Sequence, residues 1–111
     1  DLARELKKRK ANRIFAAVTF PLFTNGLDAF NKAYEEGFIS RIISTNLTYR
    51  TPELQKAPWF IEADMSKYIS YIIASLNHDR SLSGLLNPYD RIKGLIGRYH
   101  QEQAAAGFRL V

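Results

Sequence analysis

The 111-residue chain has no cysteine, which excludes disulfide scaffolds, thiolate metal sites, redox dithiols and cysteine nucleophiles and makes the cytoplasm the expected compartment. Histidine is nearly as scarce. His78 and His100 are the only two, and they lack metal-ligand spacing. The six glycines, at positions 26, 37, 84, 94, 97 and 107, are scattered and form no phosphate-binding loop pattern. Long apolar runs are also missing. The longest, Ile14 to Val18, falls far short of the roughly 18–20 residues of a membrane span, and no leader with a cleavage site is visible. No membrane partner is expected. Spacing alone assembles no nucleophile with a base and an orienting third group, so no catalytic, cofactor-binding or metal-ligating residue is expected within these residues.

What is present is ordinary globular composition: 46% hydrophobic and 24% charged residues argue against disorder over most of the length. The net charge of +5 is local. Residues 1–13 hold six cations (Arg4, Lys7, Lys8, Arg9, Lys10, Arg13) against Asp1 and Glu5, so the rest of the chain is nearly neutral. Leu2 and Leu6 share one helical face, which predicts an amphipathic helix over 1–10 with its cations at the C-terminal end, where they complement the helix dipole. Attraction to phosphate or nucleic acid is the other reading of the same run. Because Asp1-Leu2-Ala3-Arg4-Glu5-Leu6-Lys7-Lys8 reads as the inside of a helix, an upstream strand is expected, and the chain reads as a piece of something larger.

The continuous run Ile14-Phe15-Ala16-Ala17-Val18-Thr19-Phe20 predicts a central strand covered on both faces, as in a parallel sheet. Pro21 stops it. Thr24-Asn25-Gly26 supplies cap and turn chemistry for a helix over about 26–36 that ends at Gly37. A second strand is expected over 39–45, giving one βαβ unit. Residues 46–58 hold two prolines and no period, and read as a loop. A third strand is expected over 59–63, followed by a helix capped by Asp64 and patterned by Met65, Tyr68, Ile69, Ile72, Ile73 and Leu76. Asn77-His78-Asp79 ends it, residues 81–86 form a short segment, and Asn87-Pro88 starts a last helix carrying Tyr89, Ile92, Leu95, Ile96 and Tyr99. Glu62 and Asp64 flank a strand end, where carboxylates of α/β folds meet ligands, although capping also accounts for Asp64. Glu35, Glu36 and His100 read as solvated, and His78 as a helix-end charge.

Several strings carry a resemblance. Ala17-Val18-Thr19-Phe20-Pro21-Leu22-Phe23-Thr24-Asn25-Gly26 resembles the strand-end segment Ala-Thr-His-Gly-Leu-Phe-Ser-x-x-Ala of the C-terminal domain of ribose-phosphate pyrophosphokinases, the PRPP synthetases. In the same order, Gly37-Phe38-Ile39 through Ile42-Ile43-Ser44-Thr45-Asn46 resembles the next strand. Ile61-Glu62-Ala63-Asp64-Met65-Ser66 resembles the following strand and helix start, and Ser81-Leu82-Ser83-Gly84-Leu85-Leu86 the terminal Ser-x-Ser-x-Leu-Phe. The family's His-Gly is Phe20-Pro21 here, and residues 87–111 have no counterpart, so the chain looks like a divergent branch.

The resemblance implies an α/β fold of three layers, α-β-α, on a parallel sheet: the C-terminal part of a type I phosphoribosyltransferase-like domain over 1–86, with an extra helix over 87–111. It implies a parent enzyme that uses ATP and Mg²⁺ to transfer diphosphate to ribose 5-phosphate, making PRPP for nucleotide biosynthesis. The ATP- and Mg²⁺-binding residues and the Asp-Asp-Met-Ile substrate loop would lie upstream, the loop ending a few positions before Asp1, so the chain alone would be inactive. It further implies association with itself, as a homodimer or larger, no nucleic-acid partner, and a regulatory phosphate or ADP site to which Ser81 and Ser83 contribute. Turn capping also accounts for those hydroxyls. The alternative is a non-enzymatic α/β interaction module whose basic helix meets an acidic partner or nucleic acid.

Overall fold

The computed structural model describes residues 2–108. The element order is α1 (Leu2–Lys8), β1 (Phe15–Val18), α2 (Asp28–Glu35), β2 (Arg41–Thr45), α3 (Pro52–Lys56), β3 (Phe60–Ala63), α4 (Ser66–Asn77), α5 (Ser83–Leu86) and α6 (Tyr89–Phe108). The protein is mixed α/β with one small parallel sheet. The chain divides into two compact units, residues 1–67 and 68–111. Residues 109–111, at the end of the expected extra helix, lie outside the described residues, as does Asp1. Among the described residues no helix is long and apolar enough to cross a membrane.

In the first unit the strands lie in the order β1-β2-β3, all parallel, with Ala16 beside Ile42 and Ile42 beside Phe60. The period of two along a strand then puts Ala16, Ile42, Ser44 and Phe60 on one face and Phe15, Ala17, Ile43 and Ile61 on the other. The first face carries the core. Ile42, Leu54 and Trp59 are buried, and Phe23, Leu27, Phe30, Tyr34 and Phe60 pack against them. The second face stays more open: Phe15 is 56% and Ile61 43% exposed. The expectation of a central first strand is therefore corrected. Within this sheet β1 is an edge strand and β2 the central one, because an unbroken apolar run does not count a strand's partners.

Helix ends follow local chemistry. At the end of α1, Ala11 N–H bonds Leu6 O (3.0 Å), Lys10 N–H bonds Lys7 O (2.9 Å), and Lys10 has φ 66°. This is a Schellman cap with a lysine where glycine is preferred. Gly37 (φ 75°) does the same for α2, with Phe38 N–H on Ala33 O (2.8 Å) and Gly37 N–H on Tyr34 O (3.0 Å). A lysine side chain is strained in the left-handed region and a glycine is not. Lys10→Gly is therefore expected to raise stability by about 0.5–1 kcal/mol after glycine's extra chain entropy is counted. A higher urea midpoint checks it; Lys10→Val should lower the midpoint.

Two further expectations need correction. Residues 46–58 are not all loop, because Thr51 Oγ1 accepts the Leu54 N–H (3.2 Å) and Pro52 occupies the first turn of α3. And α2 begins at Asp28 without a side-chain cap on Leu27. Thr24-Asn25-Gly26 instead closes a turn, with Gly26 N–H on Phe23 O (3.0 Å).

In the second unit, α4 ends in another Schellman cap at Asp79 (φ 49°), with Arg80 N–H on Ser75 O (2.8 Å). His78 Nδ1 donates to Ala74 O (3.0 Å) in the same last turn. The Tyr68 hydroxyl donates to Leu85 O. Asn87 Oδ1 accepts the Tyr89 N–H (3.1 Å), the cap expected before Pro88. Along α6 the apolar residues Tyr89, Ile92, Leu95, Ile96 and Tyr99 are at least half exposed.

Candidate functional site

Parallel α/β sheets meet ligands at the carboxyl ends of their strands, and here those ends carry a connected polar cluster within the first unit. The Thr45 hydroxyl, at the end of β2, donates to Thr19 O just beyond β1 (2.5 Å) and also accepts the Leu47 N–H (3.4 Å). Asn46 follows Thr45 directly. Its Nδ2 donates to Asp64 Oδ1 (2.7 Å) and Ser66 Oγ (3.2 Å), and its Oδ1 accepts the Met65 N–H (2.8 Å). Asp64 Oδ1 in turn accepts the Ser66 N–H (2.9 Å), so Asp64 caps α4 while being held by the end of β2. Arg50, from the segment after β2, forms an ion pair with Glu62 near the end of β3. Thr48 Oγ1, in the same segment, is buried with no hydrogen-bond partner among the described residues.

The electrostatics of Asp64 follow from this geometry. The Ser66 hydroxyl and N–H, then the Asn46 amide, hold its carboxyl below the usual carboxylate range against a small opposing effect of burial, and the Arg50 charge adds to this. Because the native pKa is depressed, the contribution is full above the unfolded-state pKa and is lost as pH falls through the native value. In Asp64→Asn no such term exists. The stability difference between wild type and Asp64→Asn is thus expected to be constant near neutrality and to shrink on acidification below the carboxylate range. Urea midpoints across a pH series read it; a difference independent of pH would contradict it.

Of the carboxylates marked from sequence, Glu62 lies near the end of β3 and Asp64 just beyond it, and each is engaged, Glu62 by Arg50 and Asp64 by the start of α4. Sequence reasoning missed Arg50 and Thr48. The basic run is partly neutralised within the protein. Glu5 pairs with Lys8 (3.4 Å) and Arg9 (3.9 Å), and Glu36 with Arg4 (3.5 Å) and Lys32 (4.0 Å). The Arg4 guanidinium also lies over the Phe38 ring, 5.1 Å from its centroid. Such exposed pairs are each worth about 0.2–1 kcal/mol, and they reduce the charge offered to a partner.

Ser81 and Ser83 lie in the second unit, at the start of α5. Their hydroxyls bond each other (2.9 Å), and Ser81 Oγ also accepts the Ser83 N–H (3.2 Å), a local turn that leaves both side chains exposed. His100 is exposed beside Tyr99, their rings 5.8 Å apart. Among the described residues no three His, Asp or Glu side chains group as a metal site would need.

The sequence matches no protein-family model and no curated protein.

Proposed function

We propose that the chain is the C-terminal scaffold of a divergent ribose-phosphate pyrophosphokinase, from a three-layer domain of the type I phosphoribosyltransferase kind. The observation that carries this reading is positional. Three of the four resembling strings fall at the carboxyl ends of neighbouring parallel strands, at one end of the sheet, where Thr45 reaches Thr19 O and Asn46 reaches Asp64. Ligands of open α/β sheets bind at the carboxyl ends of their strands, so this end of the sheet is where the proposed parent enzyme would hold its substrate.

In this reading the parent enzyme moves the β,γ-diphosphoryl group of ATP to ribose 5-phosphate with Mg²⁺. The Mg²⁺ and ATP sites then lie upstream of the residues present here. The part of these residues is to hold the strand ends in register. Phosphoryl-type transfer depends on positioning and charge stabilisation, so the 111-residue chain alone makes no PRPP. The same chain extended upstream through the Asp-Asp loop and the partner domain makes PRPP and AMP from ATP and ribose 5-phosphate. Product formation by the short chain alone, or none by the extended one, would reject the reading.

Ser81 and Ser83 are the proposed contributors to a regulatory phosphate or ADP site in the assembled parent. Their replacement by alanine is expected to weaken phosphate or ADP binding there. Undiminished binding would leave them as turn caps. The pairing of Glu5 and Glu36 with the basic residues counts against the alternative of a basic docking helix.

A further inference from the structure

Asparagine is a chemically labile residue, because its side-chain carbonyl carbon and the next residue's amide nitrogen can close a five-membered ring. The chain has six asparagines, at positions 12, 25, 31, 46, 77 and 87. Five of them are held or screened. Asn31 lies inside α2 with its Oδ1 taken by Trp59 Nε1 (2.7 Å). Asn46 spends Nδ2 on Asp64 and Ser66 and Oδ1 on the Met65 N–H. Asn77 ends α4, where the N–H that would have to attack it, that of His78, is bonded to Ala74 O (3.1 Å). Asn87 accepts the Tyr89 N–H, and Pro88 after it has no N–H to attack with. Asn12 precedes Arg13, whose branched-off side chain crowds the approach to its amide.

Asn25 differs on each of these counts. It is exposed, and its side chain makes no hydrogen bond among the described residues. The residue after it is Gly26, at φ 77°, and beyond the chain neighbours no atom lies within 4 Å of where a Cβ would stand on that glycine. Without a Cβ, a backbone amide admits the close approach of another group. One interaction opposes the approach, the Gly26 N–H bond to Phe23 O (3.0 Å). It is a single bond in an exposed turn, the kind that opens locally at little free-energy cost, whereas the His78 N–H is held within a helix.

We infer that Asn25 is a site of spontaneous modification, converting through a succinimide to aspartate and isoaspartate, because it alone joins a free, exposed side-chain amide to an unscreened glycine N–H. With the turn open, hydroxide removes the Gly26 amide proton and the nitrogen attacks Asn25 Cγ. The N–Cγ bond forms, the Cγ–Nδ2 bond breaks, and Nδ2 takes a proton from water and leaves as ammonia. Water then opens the ring. Attack at Cγ restores the ordinary chain with an aspartate side chain, and attack at the main-chain carbonyl leaves the chain running through Cγ as isoaspartate. The net change consumes one water and releases one ammonia. Either product adds a negative charge to the loop after β1, and isoaspartate also lengthens the backbone there by one methylene. The site stands independently of the proposed enzyme.

The test incubates the whole folded chain in mildly alkaline buffer, beside a urea-unfolded sample whose conversion at Asn25 sets the length of the incubation. Tryptic peptides are then mapped by mass spectrometry, and isoaspartate is counted by labelling with isoaspartyl methyltransferase. Residues 14–32 come off as one peptide holding both Asn25 and Asn31, which fragmentation tells apart. The expected result is conversion of the folded chain at Asn25, with the other five asparagines intact. Gly26→Asp places a Cβ beside the amide in a residue type that tolerates positive φ. It should lose most of the conversion while its circular dichroism stays that of wild type. Asn25 left intact in the folded chain once the unfolded chain has converted there, another asparagine converting first, or Gly26→Asp converting at the wild-type rate would overturn the inference.

Discussion

Trp59→Ala is expected to unfold the first unit or leave it barely folded. Trp59 is fully buried, and its ring stacks on Phe30 (5.6 Å, 29°) while Phe23 and Phe60 contact it at 5.8 and 6.4 Å. Its Nε1 donates to Asn31 Oδ1 (2.7 Å), and its carbonyl accepts the Ile42 N–H (2.7 Å), which ties the entry of β3 to β2. Truncating such a side chain costs about 3–5 kcal/mol. A unit of residues 1–67 has in total roughly 3–10 kcal/mol to lose. Urea unfolding followed by circular dichroism is the measurement, since the variant has no tryptophan fluorescence. Trp59→Phe keeps an aromatic ring but leaves Asn31 without its donor, and should cost less, about 1–3 kcal/mol. A Trp59→Ala midpoint near that of wild type would show that the core lies elsewhere.

The purified chain is expected to sediment as a homodimer or larger assembly at micromolar concentration. β1 pairs with β2 on one side only, and among the described residues no strand covers its other edge. Its residues Phe15, Ala16, Ala17 and Val18 include no charge and no proline, and Phe15 and Val18 are 56% and 43% exposed. An apolar edge without such protection pairs or is covered. A stable contact should bury at least about 1,200–2,000 Å² in total. Phe15→Lys places a charge at that edge and on the open face, and should shift the population to monomer without lowering the melting temperature of the monomer. A clean monomer of wild type at these concentrations would refute the edge-pairing account.

How much of this could be read beforehand depends on whether the deciding interactions are local. Helices α2, α4 and α6 were legible because their apolar periods and end signals, Gly37 and Asn87-Pro88 among them, lie within a few residues. Helix α3 carried a signal of the same kind, Thr51 followed by Pro52, but five residues with one buried leucine show no period, and a second proline at 58 suggested a loop. The placement of β1 failed for another reason. Its composition reports how apolar its surroundings are, whereas the number of strands beside it is set by the sheet order.

The strand-end cluster was half legible. Asp64 as a cap, and Asn46 as part of a strand-end string, could be named from neighbouring residues. That Asn46 bonds Asp64, or that Arg50 pairs with Glu62, depends on the β2·β3 register, which brings together residues distant in sequence with no periodic relation. Trp59 shows the same limit. The sequence places it only at the start of an expected strand, and its position at the centre of Phe23, Phe30 and Phe60 arises when the helices pack on the sheet.

The measurement that bears most directly on the proposed function is the sequence of the reading frame immediately upstream of Asp1. The account predicts a strand followed by an Asp-Asp-Met-Ile-type loop with its glycine and Ser or Thr, ending a few residues before Asp1 and leading into α1. A start codon at that point, or an upstream segment without the paired aspartates, would contradict it.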